Sequence, residues 1–419
     1  MYLTSLTIER FRAFRRTEVS LHHPGASGSK ACKYPNVNVL LGNNGMGKSA
    51  ALKAAAIALM SPVIASTGYR PFSLVRQEAG RVARAAVVQA RVALTEQDLD
   101  GDGPAPRRSV LGAQVSRRGT TETCEPSTTA TEPVWDAMYE ESSAAFFFVG
   151  YGVSRTVESP DKADSSLRRR SRHLRYARVA GLFEEQTTLM PLVAWLPRLR
   201  SERVHRHREV VALLNQLLPK GTGFRGLAKD GDYAFRHRGV DVPFGALSDG
   251  FRAYIGWVGD LLYHVCLCCP DEVKLVDHCG VVMVDEIDLH LHPEWQLLVL
   301  PTVSRALPRL QFLCTTHSPM VAGTVESANL LVVAPDGDTA SVLARPETEV
   351  HGLTADQILM SPHFGLVSTR APDFYEELRQ ASLAVSRGEP GAAVRFMELT
   401  SLGAAAGNDG RKSGSRADT

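Results

Sequence analysis

Gly42-Asn43-Asn44-Gly45-Met46-Gly47-Lys48-Ser49 is the stretch that decides the fold of this 419-residue chain. Residues 36–41 before it predict a short apolar strand, and the Ala- and Leu-rich residues 49–60 after it predict a helix. A glycine-rich loop in this setting turns successive backbone N–H groups inward, which creates an anion site at the helix N-terminus. We therefore predict a phosphate-binding loop in which all eight residues contact the nucleotide. Lys48 is expected to reach the β- and γ-phosphates, and the Ser49 hydroxyl to hold Mg²⁺.

Two later apolar segments, residues 280–284 and 309–315, predict strands that end in polar groups. In an open α/β sheet, ligands bind beyond the carboxyl ends of the strands. Asp285 is therefore expected to complete the metal site with Ser49. Glu286 is expected to orient or deprotonate the attacking water, and His317 to contact the γ-phosphate.

Composition places few limits on the partners of the chain. Apolar residues make up 44% and charged residues 22%, as in ordinary globular proteins. The balance of 47 Lys and Arg against 45 Asp and Glu gives a net charge of +2, which neither favours nor excludes a nucleic-acid partner. The seven cysteines lack the spacing of a disulfide framework, which predicts a cytoplasmic protein. The apolar run at residues 144–149 is too short to cross a membrane, so no membrane partner is expected.

The tetrapeptide Leu247-Ser248-Asp249-Gly250 precedes an apolar helix predicted at residues 251–268. Alone, Ser-Asp-Gly is an ordinary helix N-cap. Its order along the chain, after the phosphate loop and a helical lobe and before the acidic strand and His317, resembles the ATP-binding-cassette (ABC) ATPase heads. The closest likeness is to the soluble branch that includes RecF, the chromosome-maintenance (SMC) heads and the overcoming-lysogenization-defect ATPases. Asp249 replaces the usual second glycine of the signature, which agrees better with this branch than with transporters.

That resemblance covers about residues 1–335 and implies an α/β fold with a mixed central sheet, an antiparallel β subdomain and a helical lobe. It implies ATP and Mg²⁺ as cofactors and hydrolysis of ATP to ADP and phosphate. It also implies that Ser248 and Gly250 bind the nucleotide held by the other subunit of an ATP-dependent homodimer. The glutamine that normally contacts Mg²⁺ is not identified: Gln77 and Gln89 are candidates, and residues 151–155 are the alternative.

Residues 150–155, 352–359 and 364–370 look like the bacterial AAA-labelled ATPases of defence islands, similar to those of Septu and retron systems. This likeness implies that ATP-driven closure controls a partner effector, a nuclease, in anti-phage defence. Residues 151–210 carry thirteen Lys and Arg against seven Asp and Glu. That local charge supports an alternative, a RecF-like repair ATPase that clamps or loads on DNA, although a charge run is also typical of a solvated face.

The chain is predicted to comprise five segments. The N-terminal ATPase lobe, residues 1–150, contains the phosphate loop and the β subdomain, with a mobile insertion at about 100–133 that is poor in large apolar residues. The others are a basic helical lobe at 151–240, the signature, acidic-strand and switch-histidine lobe at 241–335, a C-terminal helical extension at 336–403, and a disordered tail at 404–419.

Overall fold

The computed structural model describes residues 1–405 apart from 27–31, 68, 70, 79–80, 99–107, 128–142, 158–173, 186 and 229–231. It divides into two units, Met1–Ala355 and Asp356–Thr419. The strands, all in the first unit, are β1 Tyr2–Phe11, β2 Phe14–Ser20, β3 Val37–Leu41, β4 Gln77–Glu78, β5 Arg81–Val82, β6 Ala85–Ala93, β7 Arg108–Arg118, β8 Thr121–Pro126, β9 Phe148–Tyr151, β10 Thr156–Val157, β11 Thr188–Leu189, β12 Thr222–Leu227, β13 Tyr233–His237, β14 Val240–Pro243, β15 Gly280–Val284, β16 Leu310–Thr316, β17 Leu330–Asp336 and β18 Ala340–Ala344.

Two of the helices coincide with segments predicted to be helical, 49–60 and 251–268. The first unit contains α1 Lys48–Ser66, α2 Leu174–Ala177, α3 Leu192–Glu202, α4 Val204–Leu217, α5 Asp249–Cys268, α6 Pro293–Gln296, α7 Val299–Ala306 and α8 Pro319–Ala322. Helix α9, Ala355–Leu359, begins at the boundary between the units, and the second unit contains α10 Pro372–Ser386 and α11 Ala392–Ala405. The helices predicted after the phosphate loop and after the signature are therefore confirmed.

Within the described residues, eleven strands form one mixed sheet in the order β8-β7-β6-β1-β2-β18-β17-β3-β16-β15-β9. Strands β17, β3, β16, β15 and β9 pair in parallel. Strands β1, β2, β6, β7 and β8 pair antiparallel, which confirms the predicted β subdomain as a continuation of the central sheet. The two halves join where β18 pairs with β2 at Ser341 and Phe14.

The sheet separates two apolar cores. Val281 and Met283 of β15 face the core that contains α1 and the antiparallel strands. Val282 and Val284 face the other core, which contains α3, α4, α5 and α7. Both faces of β15 are thus covered, which explains why its sequence is continuously apolar rather than alternating.

Helix α1 is long and apolar enough, by length and composition, to cross a membrane, although 78% of its most apolar window is buried within the protein. It packs against β1, β6, β7 and β8. A helix that is buried in this way is a core helix of the protein.

The predicted mobile insertion at 100–133 was wrong for residues 108–126, which form β7 and β8. Leu111, Ala113 and Val115 alternate along β7 and are fully buried. The average composition of the segment concealed this period-two pattern, which is typical of a half-buried strand. Residues 99–107 and 128–142 lie outside the described part of the chain.

Several predicted boundaries also differ from the structure. The boundary at 150/151 falls within β9, and the boundary at 240/241 falls at the first residue pair of β14. The helical extension predicted from residue 336 begins instead at Ala355, because residues up to Ala344 still belong to the central sheet. The predicted tail at 404–419 lies outside the described residues except for the last two residues of α11.

A buried carboxylate joins the helix that follows the signature to the edge of the sheet. Asp260 of α5 accepts a hydrogen bond from the Tyr151 hydroxyl at 2.9 Å and one from the Met190 N–H at 2.7 Å. The His264 Nε2 atom lies 3.4 Å from the same carboxylate. Because Tyr151 ends β9, this network fixes where the chain leaves the sheet.

We expect Asp260→Ala to lower the free energy of unfolding by about 2–4 kcal/mol, because it leaves two buried donors without an acceptor. Denaturant unfolding monitored by circular dichroism measures the change. Asp336→Ala, at the exposed end of β17, is the control and should change stability by less than about 0.5 kcal/mol. Equal effects of the two substitutions would contradict a structural role for this network.

Candidate functional site

The predicted phosphate loop joins β3 to α1, as its sequence requires. Gly45 and Gly47 have φ angles of 78° and 109°, a left-handed region that glycine occupies at little cost. Asn43 and Asn44 are exposed, whereas Lys48 is buried. The Lys48 ammonium donates hydrogen bonds to the carbonyl oxygens of Gly42, at 2.7 Å, and of Asn43, at 3.1 Å. The lysine therefore lies against the inner side of its own loop.

The acidic strand end reaches the same lysine. Burial lowers the pKa of Lys48 to about 8, while the charges of Asp285, Glu286 and Asp288 raise it. The charges of both predicted acids therefore act on the lysine. Asp288 is an additional carboxylate that the sequence analysis did not select.

Thr315 holds the two predicted acids in place. Its hydroxyl donates to Asp285 Oδ1 at 2.6 Å and accepts from the Glu286 N–H at 2.7 Å. Glu286 has a φ angle of 48°, and a left-handed conformation costs a residue other than glycine about 1–2 kcal/mol. The hydrogen bond from its N–H offsets part of that cost. Thr315 was missed as a site residue, although a hydroxyl at the end of an otherwise apolar strand was a signal for it.

His317 follows β16 and is half-buried. Burial lowers its pKa, and the Lys48 cation lowers it further, against the opposing charges of Glu286 and Asp288. The imidazole is therefore neutral at pH 7 and can donate one hydrogen bond and accept another. His317 follows β16, which pairs in parallel with both β3 and β15, the strands that precede the loop and the acids.

The residues predicted to hold a metal ion have suitable chemistry for Mg²⁺. Ser49 lies in the first turn of α1, and Asp285 is a buried carboxylate whose Oδ1 atom is already oriented by Thr315. Oxygen donors of this kind are the ligands that Mg²⁺ prefers. The donor set fits Mg²⁺.

Ser248 and Gly250 of the signature line a different part of the surface from the phosphate loop. Ser248 is exposed at the N-cap of α5, yet its side chain makes no capping hydrogen bond, which disfavours the ordinary N-cap interpretation. A Cβ atom on Gly250 would lie 2.5 Å from the His290 carbonyl oxygen, so only glycine fits there. Both residues line a cavity of about 580 Å³ whose described lining contains no residue of the phosphate loop. Ser248 and the phosphate loop therefore do not share this cavity.

A further cation contacts the acidic strand end. The Arg155 Nη2 atom donates a hydrogen bond to the Glu286 carbonyl oxygen. Because β9 pairs with β15, and the Asp285 N–H donates to the Tyr151 carbonyl oxygen at 2.8 Å, residues 151–155 run beside the acids. Gln89 lies instead in β6 of the antiparallel half, and Gln77 in β4. Among the candidates for the missing glutamine position, residues 151–155 are the segment that contacts the site.

Several known proteins are similar to parts of this chain. Residues 154–322 match the family described as "AAA domain, putative AbiEii toxin, Type IV TA system". The "Retron Ec83 probable ATPase" of Escherichia coli is 39% identical over 84 residues, which are 20% of this chain and 16% of that protein. The Septu protein PtuA of Bacillus thuringiensis is 31% identical over 146 residues, which are 33% of this chain and 36% of that protein. Over these segments the chain is similar to an AAA-labelled family and to the Septu and retron proteins.

The chain matches these proteins through local segments, which span well under half of the length of the relatives named above. A solved SMC head domain from Thermotoga maritima aligns with 83% of this chain and 100% of that domain, with 15% identity and a TM-score of 0.45. The evidence for the predicted α/β fold is the mixed sheet, together with the order of the site residues along the chain.

We expect Thr315→Val to lower the free energy of unfolding by about 1–3 kcal/mol, because a buried carboxylate oxygen and the Glu286 N–H both lose their partner. Thermal or denaturant unfolding provides the measurement. Thr302→Val, which removes a half-buried hydroxyl from α7, is the matched control and should have a smaller effect. The interpretation fails if Thr302→Val destabilises the protein as much as Thr315→Val.

Proposed function

We propose that this protein binds Mg-ATP between the subunits of a cytoplasmic homodimer, hydrolyses it to ADP and phosphate, and uses ATP-driven closure to control a partner effector, a nuclease. The observation that carries the ATPase proposal is the cluster around Lys48. A phosphate loop with left-handed glycines, three carboxylates whose charges reach the lysine, and a neutral histidine occupy one edge of the sheet. The partner and the defence role rest on the likeness to the Septu and retron proteins.

Bound Mg-ATP would supply the transferable γ-phosphoryl group and the metal charge that neutralises it. The side chains of this chain provide the rest. Lys48 would donate to phosphate oxygens, while Ser49 and Asp285 would hold the metal ion. Glu286 accepts the proton of the attacking water, and neutral His317 hydrogen-bonds to the γ-phosphate.

Two substitutions separate binding from hydrolysis. Lys48→Ala should abolish ATP binding, because the loop loses the side-chain cation that faces the β- and γ-phosphates. Glu286→Gln should bind ATP normally and hydrolyse it at least ~10²-fold more slowly, because the proton acceptor is lost. Fluorescent-ATP titration and phosphate release measure the two effects. Undiminished ATP affinity in Lys48→Ala would contradict the loop assignment, and near-normal turnover of Glu286→Gln would remove Glu286 from the base role.

The dimer proposal follows from the position of the signature. Ser248 is exposed and lines a cavity without phosphate-loop residues, so a single chain does not supply both halves of the predicted nucleotide contact. A second copy that faces the first would bring Ser248 to the γ-phosphate held by its partner. Hydrolysis would then depend on protein concentration.

Mixing two inactive variants tests this arrangement. Ser248→Arg should bind ATP without dimerising, because a bulky cation replaces the serine at the facing phosphate. In a mixed dimer with Lys48→Ala, one nucleotide site carries both defects and the other carries neither, so partial ATPase activity should return. Light scattering confirms that heterodimers form. The proposed arrangement is wrong if heterodimers form without activity, or if Glu286→Gln remains monomeric with ATP at micromolar concentration.

Three described arginines of the basic lobe are engaged within the protein, which weakens the DNA-clamping alternative. Arg198 pairs with Glu202 at 2.8 Å, and Arg203 pairs with Asp271 at 3.2 Å. Arg206 is fully buried and donates to the Pro270 carbonyl oxygen. These groups are already neutralised or bonded within the protein. Duplex binding that weakens steeply with salt would instead support the DNA alternative.

A further inference from the structure

The backbone of Glu286 is held at both ends. Its N–H donates to the Thr315 hydroxyl at 2.7 Å. Its carbonyl oxygen accepts from the Leu289 N–H at 3.0 Å and from the Arg155 guanidinium. Since Glu286 has a left-handed φ angle of 48°, these contacts oppose relaxation to the ordinary backbone region.

Arg155 differs from the other two partners of Glu286. Thr315 and Leu289 belong to the neighbouring strand and to the turn after β15, whereas Arg155 comes from a segment 131 residues earlier in the chain. The start of that segment is fixed by the bond between the Asp285 N–H and the Tyr151 carbonyl oxygen. Arg155 therefore follows the edge strand β9, and its side chain donates to the backbone carbonyl oxygen of the predicted catalytic glutamate.

The surroundings of Arg155 keep its guanidinium at this place. Burial lowers the pKa of Arg155, while the charges of Asp285 and Asp288 raise it. Arginine remains protonated in proteins, so the group is a permanent donor. Arg155 also lines a cleft of about 560 Å³ together with Asp249, Arg252 and His290. The guanidinium therefore lies at the wall of this cleft.

We propose that Arg155 is the positioning residue for Glu286: its hydrogen bond to the Glu286 carbonyl oxygen fixes the left-handed backbone and so directs the carboxylate toward the attacking water. This inference rests on the proposed ATPase function. It assigns a distinct role to residues 151–155, because the contact is to the backbone of the base rather than to a metal ion. A displacement of about 1 Å at such a group is enough to cost about 10²-fold in rate.

A double-mutant cycle with Glu286→Gln tests the proposal. Arg155→Ala alone should lower kcat by about 10- to 10²-fold with ATP affinity within about threefold of wild type. Arg155→Lys keeps one donor and should recover part of the rate. In the Glu286→Gln background, Arg155→Ala should lower the residual rate by less than about threefold, because the group that it positions is already lost.

Hydrogen–deuterium exchange without nucleotide gives a second readout. Arg155→Ala should accelerate exchange of the amides at residues 285–289, because the turn loses one of its anchors. Arg206→Ala is the matched control, since Arg206 is also a buried arginine that donates to a backbone carbonyl, in α4. It should leave exchange at 285–289 unchanged, and the folded protein should keep its kcat.

The outcomes separate this inference from the proposed function. Equal rate losses from Arg155→Ala in the wild-type and Glu286→Gln backgrounds overturn positioning, as does unchanged exchange at residues 285–289. A loss that appears in ATP affinity rather than in kcat also overturns it and indicates a direct ligand contact. By contrast, the ATPase proposal itself is contradicted by undiminished ATP affinity in Lys48→Ala, and this test does not depend on the Arg155 variants.

Discussion

Parallel pairing of β3, β16, β15 and β9 is the constraint on which the whole site depends. The register places Leu41 opposite Thr316, and Val284 opposite both Cys314 and Tyr151. Four strands therefore end at one edge of the sheet, and the chain segments that follow them meet there. With an antiparallel neighbour, the loop, the acids and His317 would emerge at opposite edges.

Register matters as much as direction. Because both faces of β15 are covered by core, a slip of one residue would exchange the residues that face the two cores. The same slip would move the Thr315 hydroxyl away from Asp285 Oδ1 and the Glu286 N–H, which it bridges at 2.6 and 2.7 Å. Core packing thus sets the geometry of the acidic pair, and the left-handed Glu286 is tolerated because its neighbours are fixed.

The features that the sequence predicted well are those with local signals. A glycine-rich loop between a strand and a helix, and a continuous apolar strand that ends in two acids, depend on residues close in sequence. The role of Thr315 was missed because its hydrogen bonds join it to residues 29 and 30 positions away in the sequence, at the end of the neighbouring strand. Arg155 was missed as a contact of Glu286 for the same reason, at a separation of 131 residues. In β7, the low apolar content led to the wrong prediction of a mobile insertion. A half-buried strand is recognised by the alternation of apolar and polar residues rather than by its apolar content.

The segment after the acidic strand connects the two halves of the proposed dimeric site. Its first part carries Glu286, whose carbonyl oxygen accepts from Arg155. Its later part carries His290, whose carbonyl oxygen would lie 2.5 Å from a Cβ atom on Gly250, the residue two positions after Ser248. Three residues therefore separate the predicted base from His290, which lies against the signature. In the proposed dimer, a movement of the signature on closure would displace His290 and, through this short segment, Glu286. This is a physical route by which closure and hydrolysis would be coupled.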